Sequence, residues 1–164
     1  MKKYFLNNHT RGVGLIEVIV GMAILTLVLF AFTSSLSLYS QASMDATKRT
    51  QALFLAEEGL EVVRARRDAG WTSFAAVGVN TPHGISFNAA TSSWSFVPTS
   101  DITGAFTRTI TLRDVFRDTN GRIIFGGGGT HDPLTRRVEA VVSWQGARGV
   151  QSVRLESIIA NTFE

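Results

Sequence analysis

The sequence predicts an α+β fold: one long N-terminal helix packed on a C-terminal antiparallel β-meander. Three observations carry that expectation. From Val18 to Met44 no residue is charged. A helical stripe then continues to about Ala69 without a proline, the first being Pro82. Beyond residue 105, short runs alternate apolar and polar residues with the period of a strand.

The uncharged segment comes first. Val18 to Phe32 is nearly all apolar, and Ser and Thr thin the pattern after Thr33. A helix crosses a bilayer core in about 20 residues at about 1.5 Å each, so the segment is long enough. Lys2, Lys3 and Arg11 precede it; Asp45 and Lys48 follow. The bias of basic residues towards the cytoplasm predicts a single pass, with the N-terminus in the cytoplasm and the C-terminal domain outside.

The helix is expected to run on past this segment. Leu53, Ala56, Leu60 and Val63 fall on one face, and Glu57, Glu58, Glu61, Arg64 and Arg67 occupy the others. Asp68-Ala69-Gly70 supplies a stop. From Val13 to Ala69 such a helix would measure about 85 Å. The stretch 70–105, with Pro82 and Pro98, reads as an excursion holding short strands near Ile85–Phe87 and Trp94–Val97. Four strands are expected after it, at Phe106–Leu112, Arg122–Phe125, Arg137–Trp144 and Val150–Ile158. Phe106, Ile110 and Leu112 share a face, as do Val138, Ala140, Val142 and Trp144. Gln145–Gly149 reads as a hairpin link. The expected organisation is a leader at 1–12, an apolar half-helix at 13–42 and a globular domain at 43–164. That domain divides into an amphipathic helix 43–69, a loop region 70–105 and a sheet 106–160.

Charge counts argue against an anionic partner. The formal charge is +3, from 16 basic and 13 acidic residues. Lys2, Lys3 and Arg11 account for the excess, since sixteen less three leaves thirteen, and the chain after residue 12 is formally neutral. Arg64/Arg66/Arg67, Arg113/Arg117/Arg122 and Arg136/Arg137 are therefore read as solvated faces interleaved with acids, not as a nucleic-acid patch. There is no cysteine, and so no disulfide framework or thiol chemistry.

Enzymatic and metal chemistry find little support. No nucleophile-elbow motif occurs. His9, His83 and His131 lie without a second ligand at metal spacing and read as solvated loop residues. Asp114 and Asp118 flank a strand end, where solvated carboxylates are the default. Asp118-Thr119-Asn120-Gly121 begins like a calcium loop, with Asp118 and Asn120 as candidate ligands, but lacks the distal acid. Asn120-Gly121 is also a strong hairpin-turn signal. Gly126–Gly129 resembles no phosphate-binding loop and reads as a surface loop. No cofactor and no catalytic residue is expected.

Glu17 stands out, because a carboxylate at the edge of an apolar segment costs free energy in lipid and needs a partner. The run Arg11-Gly12-Val13-Gly14-Leu15-Ile16-Glu17-Val18-Ile19-Val20 resembles the class III signal of type IV pilins and type II secretion pseudopilins. The resemblance implies a pilin-like fold and cleavage by prepilin peptidase between Gly12 and Val13. It also implies N-methylation of Val13, and pairing of Glu17 with a neighbouring subunit's amino terminus during filament assembly. Implied partners are other pilin or pseudopilin subunits, the peptidase and an inner-membrane assembly platform. Implied locations are the cytoplasmic membrane and then an extracellular or periplasmic filament. Val13 stands where Phe or Met is more usual, and Gly14 where Thr is common. No proline interrupts Thr33-Ser34-Ser35, and no cysteine pair closes the C-terminal loop. These departures lean towards a minor pilin or pseudopilin. Two alternatives use the same residues. One is a secreted binding module with an ordinary signal cut after Ser40-Gln41-Ala42. The other is a tip adhesin or DNA receptor of an uptake pilus, binding through the 71–105 or 126–133 loops.

Overall fold

The computed structural model describes residues 14–125, 128–147 and 149–161. Helix α1 spans Leu15–Asp68, and the chain divides into two units between Ser43 and Met44.

In the first unit the helix is apolar on every side. Its hydroxyl residues bond back to the preceding turn: Thr26 donates to the Met22 carbonyl at 2.8 Å, Ser34 to Phe30 at 2.9 Å and Ser35 to Ala31 at 2.9 Å. Thr33 reaches the carbonyls of both Leu29 and Phe30 at 3.0 Å. These bonds satisfy the hydroxyls inside the helix, so Thr33-Ser34-Ser35 does not interrupt it.

In the second unit, Met44 onward, the helix turns one face to a sheet. Ala52, Ala56, Gly59, Leu60 and Val63 are buried, at i, i+4, i+7, i+8 and i+11. This corrects the expected stripe. Ala52 takes the place assigned to Leu53, which is 37% exposed on the flank beside Val153 and Leu155. The reason is steric. Small side chains along the contact line let the sheet approach closely, and a Cβ on Gly59 would lie 3.1 Å from Ile110 Cδ1. The helix stops at Asp68, as the following glycine predicts: Gly70 has φ of 151°. A short helix α2, Trp71–Ala75, was not expected. It drives Phe74 wholly into the core.

Among the described residues seven strands follow: β1 Pro82–Asn88, β2 Ser93–Val97, β3 Asp101–Thr103, β4 Phe106–Arg117, β5 Ile123–Ile124, β6 Thr130–Gly146 and β7 Gly149–Ala160. They form one antiparallel sheet in the order β2-β1-β4-β6-β7, with β3 and β5 also paired to β4. The α+β expectation is met. Ile110, Leu112, Val138, Ala140 and Val142 face the helix and are fully buried. The last two strands form the expected hairpin, closing at Gly146 and Gly149.

Strand lengths depart from the sequence reading. β4 continues five residues beyond Leu112, because a register shift at Asp114/Val115 restores an apolar residue, Val115, to the core side. β6 starts at Thr130 rather than Arg137, for the matching reason that its first residues pair with the extended β4. β5 shrinks to two residues. The region 70–105 carries β1, β2 and the unexpected β3.

Candidate functional site

The apolar half-helix is built by residues that bury nothing on their own. Leu15, Ile16, Val18, Ile19, Met22, Leu25, Leu29 and Phe32 are all exposed. The helix is long and apolar enough to cross a membrane. Large apolar side chains presented all round a helix require an apolar surround, which lipid or other helices can supply. The segment thus supports membrane anchoring.

Glu17 sits in the first turn of this helix. Its amide donates to the Gly14 carbonyl at 2.9 Å, and the Val18 amide reaches the same oxygen at 3.3 Å. A carboxylate there interacts favourably with the positive end of the helix dipole. Among the described residues no basic side chain lies within ion-pair distance of it. Gly12 and Val13, the expected cleavage and methylation positions, lie outside the described residues, as does His9.

The domain holds a polar centre that sequence reasoning missed. Arg108 is 4% exposed and lies on the core side of β4. Its guanidinium donates to Glu58 Oε2 at 2.8 Å, to the Leu55 carbonyl at 3.0 Å and to Asp101 Oδ2 at 2.8 Å. Asp101 Oδ1 in turn accepts the Ile85 amide at 3.1 Å. One side chain thereby ties α1, β1, β3 and β4 together. Burial by itself would lower the Arg108 pKa. Hydrogen bonds and charge from Asp101 and Glu58 outweigh that and raise it. The sequence did carry a signal, since Arg108 shares the parity of Phe106 and Ile110 in the alternation of β4.

Most of the other charged candidates form local pairs. Arg64 pairs with Glu61 and Arg67 with Asp68 on the helix. Arg113 and Arg154 flank Glu139 at 3.4 and 3.0 Å; Arg136 meets Asp114 at 3.3 Å. Arg137 lies over the Phe125 ring at 5.2 Å. Arg117 bonds Asp132 Oδ2 at 2.6 Å. Burial would raise the Asp132 pKa, but hydrogen bonds from Thr135, Arg117 and the Leu134 amide hold it below the ordinary carboxylate value. These contacts spread the arginines among carboxylates and one aromatic ring instead of gathering them into a patch.

His83 and His131 lie on strands rather than in loops, correcting the sequence reading. His83 Nε2 is 2.9 Å from both Thr81 Oγ1 and the Gly78 carbonyl. His131 Nε2 lies 3.2 Å from Asp114 Oδ1. Asp118 Oδ1 accepts the amides of Asn120 and Arg122, each at 2.8 Å, and Gly121 has φ of 77°. Asp118–Gly121 is therefore a side-chain-closed turn linking β4 to β5. Among the described residues no group of three or more His, Cys, Asp or Glu is placed to hold a metal ion.

Residues 7–33 match the family model of the prokaryotic N-terminal methylation motif. No curated protein and no solved structure matches the chain. The motif supports a type IV pilin-like class III signal. With the long helix and antiparallel sheet, it points to a structural subunit processed by prepilin peptidase.

Proposed function

We propose that the chain is a prepilin, a minor pilin or pseudopilin of a type IV pilus-like or type II secretion filament. The observation that carries the reading is the methylation motif at 7–33, which runs directly into a helix whose apolar side chains are exposed on all sides. The subunit waits in the cytoplasmic membrane with residues 44–164 outside. Cleavage after Gly12 frees the Val13 amine, which is then N-methylated. Glu17 meets a neighbour's amino terminus as the subunit leaves the lipid, because a carboxylate in an apolar surround is stabilised by a cation and hydrogen bonds. The exposed helix then exchanges lipid for the helices of other subunits. No catalytic step is assigned to the domain. Arg64, Arg67, Arg108, Arg113, Arg117, Arg136 and Arg154 pair with carboxylates of the same domain, which supports a structural role.

The deciding experiment is the intact mass and N-terminal residue of the protein purified from membranes of a host that makes it. A chain beginning at N-methylated Val13 is expected. A start at Ser43 would instead identify a secreted module, and an uncut Met1 a simple anchored domain; either sinks the prepilin reading.

A further inference from the structure

We propose that Arg113 and Arg137 form a two-armed site for a small carboxylate with an apolar body, in a hollow on the sheet face turned away from the helix. The site lies wholly within residues 44–164 and does not depend on how the N-terminus is processed.

Alternation puts both arginines on that face. Leu112 and Val138 are fully buried on the helix side, so their neighbours Arg113 and Arg137 point the other way. The two are register partners on β4 and β6, which sets their Cβ atoms about 5 Å apart. Like charges placed directly opposite repel. The register offers Arg137 no acid in compensation, since its partner on β7 is Ile158.

Arg137 is the unmatched member of the pair. The Phe125 ring lies 5.2 Å from its guanidinium, which attracts the cation yet leaves its N–H donors unused. Among the described residues Arg137 forms no ion pair and no side-chain hydrogen bond. Arg113 is half matched. Its contact with Glu139 is long, at 3.4 Å, and that carboxylate is also held by Arg154 at 3.0 Å. The Nε of Arg113 is buried and has no partner.

Both arginines line a hollow of about 260 Å³, together with Asn80, Asp114, Ile124 and Phe125. Charge and shape restrict what fits there. A carboxylate presents two coplanar oxygens that match a guanidinium fork, and one shared by both forks replaces their repulsion with two charge-assisted contacts. Asp114 keeps one oxygen 3.3 Å from Arg136 and 3.2 Å from His131, and its charge disfavours a dianion such as phosphate. Ile124 and Phe125 supply an apolar wall. A monocarboxylate with an aromatic or aliphatic body meets all three conditions. The C-terminal residue of a peptide and a free apolar amino acid share that chemistry.

The full-length chain in detergent micelles is titrated calorimetrically with N-acetyl-phenylalanine, neutral N-acetyl-phenylalaninamide, free phenylalanine and inorganic phosphate. N-acetyl-phenylalanine is expected to bind about ten-fold tighter than the amide, the equivalent of one hydrogen bond to a charged group. Phosphate is expected to bind more weakly than the acid. Arg137→Gln should weaken binding of the acid about ten-fold, which also separates site binding from partition into the micelle. Arg137→Lys keeps the charge but not the fork, and should fall between the two. Free phenylalanine that binds as tightly as the acetylated acid identifies an amino acid as the source; preference for the acetylated acid identifies a peptide terminus. Either outcome supports the site. It is wrong if acid and amide bind alike, if the acid gives no saturable heat up to about 10 mM, or if both Arg137 variants bind as the wild type does. Phosphate binding tighter than the acid overturns the carboxylate assignment.

Discussion

Residues 15–43 and 44–68 belong to one helix by hydrogen bonding, yet they answer to different surroundings. In the first stretch the large side chains are apolar on every side, and all of them are exposed. In the second, Ala52, Ala56, Gly59, Leu60, Val62 and Val63 are buried, and the charged residues lie among the exposed and half-buried positions. The same backbone can thus be stabilised by solvent choice in one stretch and by side-chain fit in the other. Length and apolarity suffice for the former; the latter requires particular volumes at particular positions.

Removing the buried cation breaks the fitted stretch most severely. Arg108→Met leaves Asp101 with an uncompensated, mostly buried charge and should cost about 3 kcal/mol. Urea unfolding of the full chain in detergent micelles, followed by tryptophan fluorescence, measures this. A loss below about 1 kcal/mol would mean that solvent already screens the cluster.

One substitution made in both stretches should give opposite signs. Gly59→Ala puts a methyl group against Ile110 Cδ1 at 3.1 Å and Arg108 Cδ at 3.3 Å. Ile110 is fully buried and Arg108 is held by its hydrogen bonds, so neither yields freely. The clash should outweigh the gain in helix propensity, for a net loss of about 1 kcal/mol. Gly21→Ala meets nothing within 4 Å and should leave helix content, read by circular dichroism, unchanged or raised.

Acid should loosen the sheet through Asp132. Its folded pKa is lowered, so its contribution is full above about pH 4, the unfolded value, and disappears as pH falls through the lowered value. Asp132→Asn should therefore lose stability at neutral pH and flatten the acid limb of the stability profile. Parallel profiles for variant and wild type would refute the assignment.

The smallest effect on folding belongs to the residue with the largest proposed role. Glu17→Ala should shift domain unfolding by less than about 0.5 kcal/mol, the range of exposed sites. Its effect should appear instead as loss of the subunit from sheared filaments.

Much of this was readable in residue order. The uncharged run Val18–Met44 specified an apolar helix, because lipid selects on composition over about 20 positions and asks for no particular neighbour. Alternation gave the faces of β4 and β6, since Ile110, Leu112, Val138 and Val142 repeat at the strand period. Glu17 was conspicuous for the same reason, as a charge where composition allowed none.

The remainder depended on contacts between residues distant in sequence. β3 is three residues long and exists because Phe106–Arg108 of β4 offer it an antiparallel partner. The buried line moved from Leu53 to Ala52 because the sheet approaches only where side chains are small. Arg108 counts as polar in any pattern, and it is buried because Glu58 and Asp101, fifty residues before it and seven before it, converge on one guanidinium. Residue order alone determined the apolar helix, the motif at its start and the period of the main strands. Tertiary structure decided register, strand ends and which polar group could leave water, because those depend on what each residue finds across the fold.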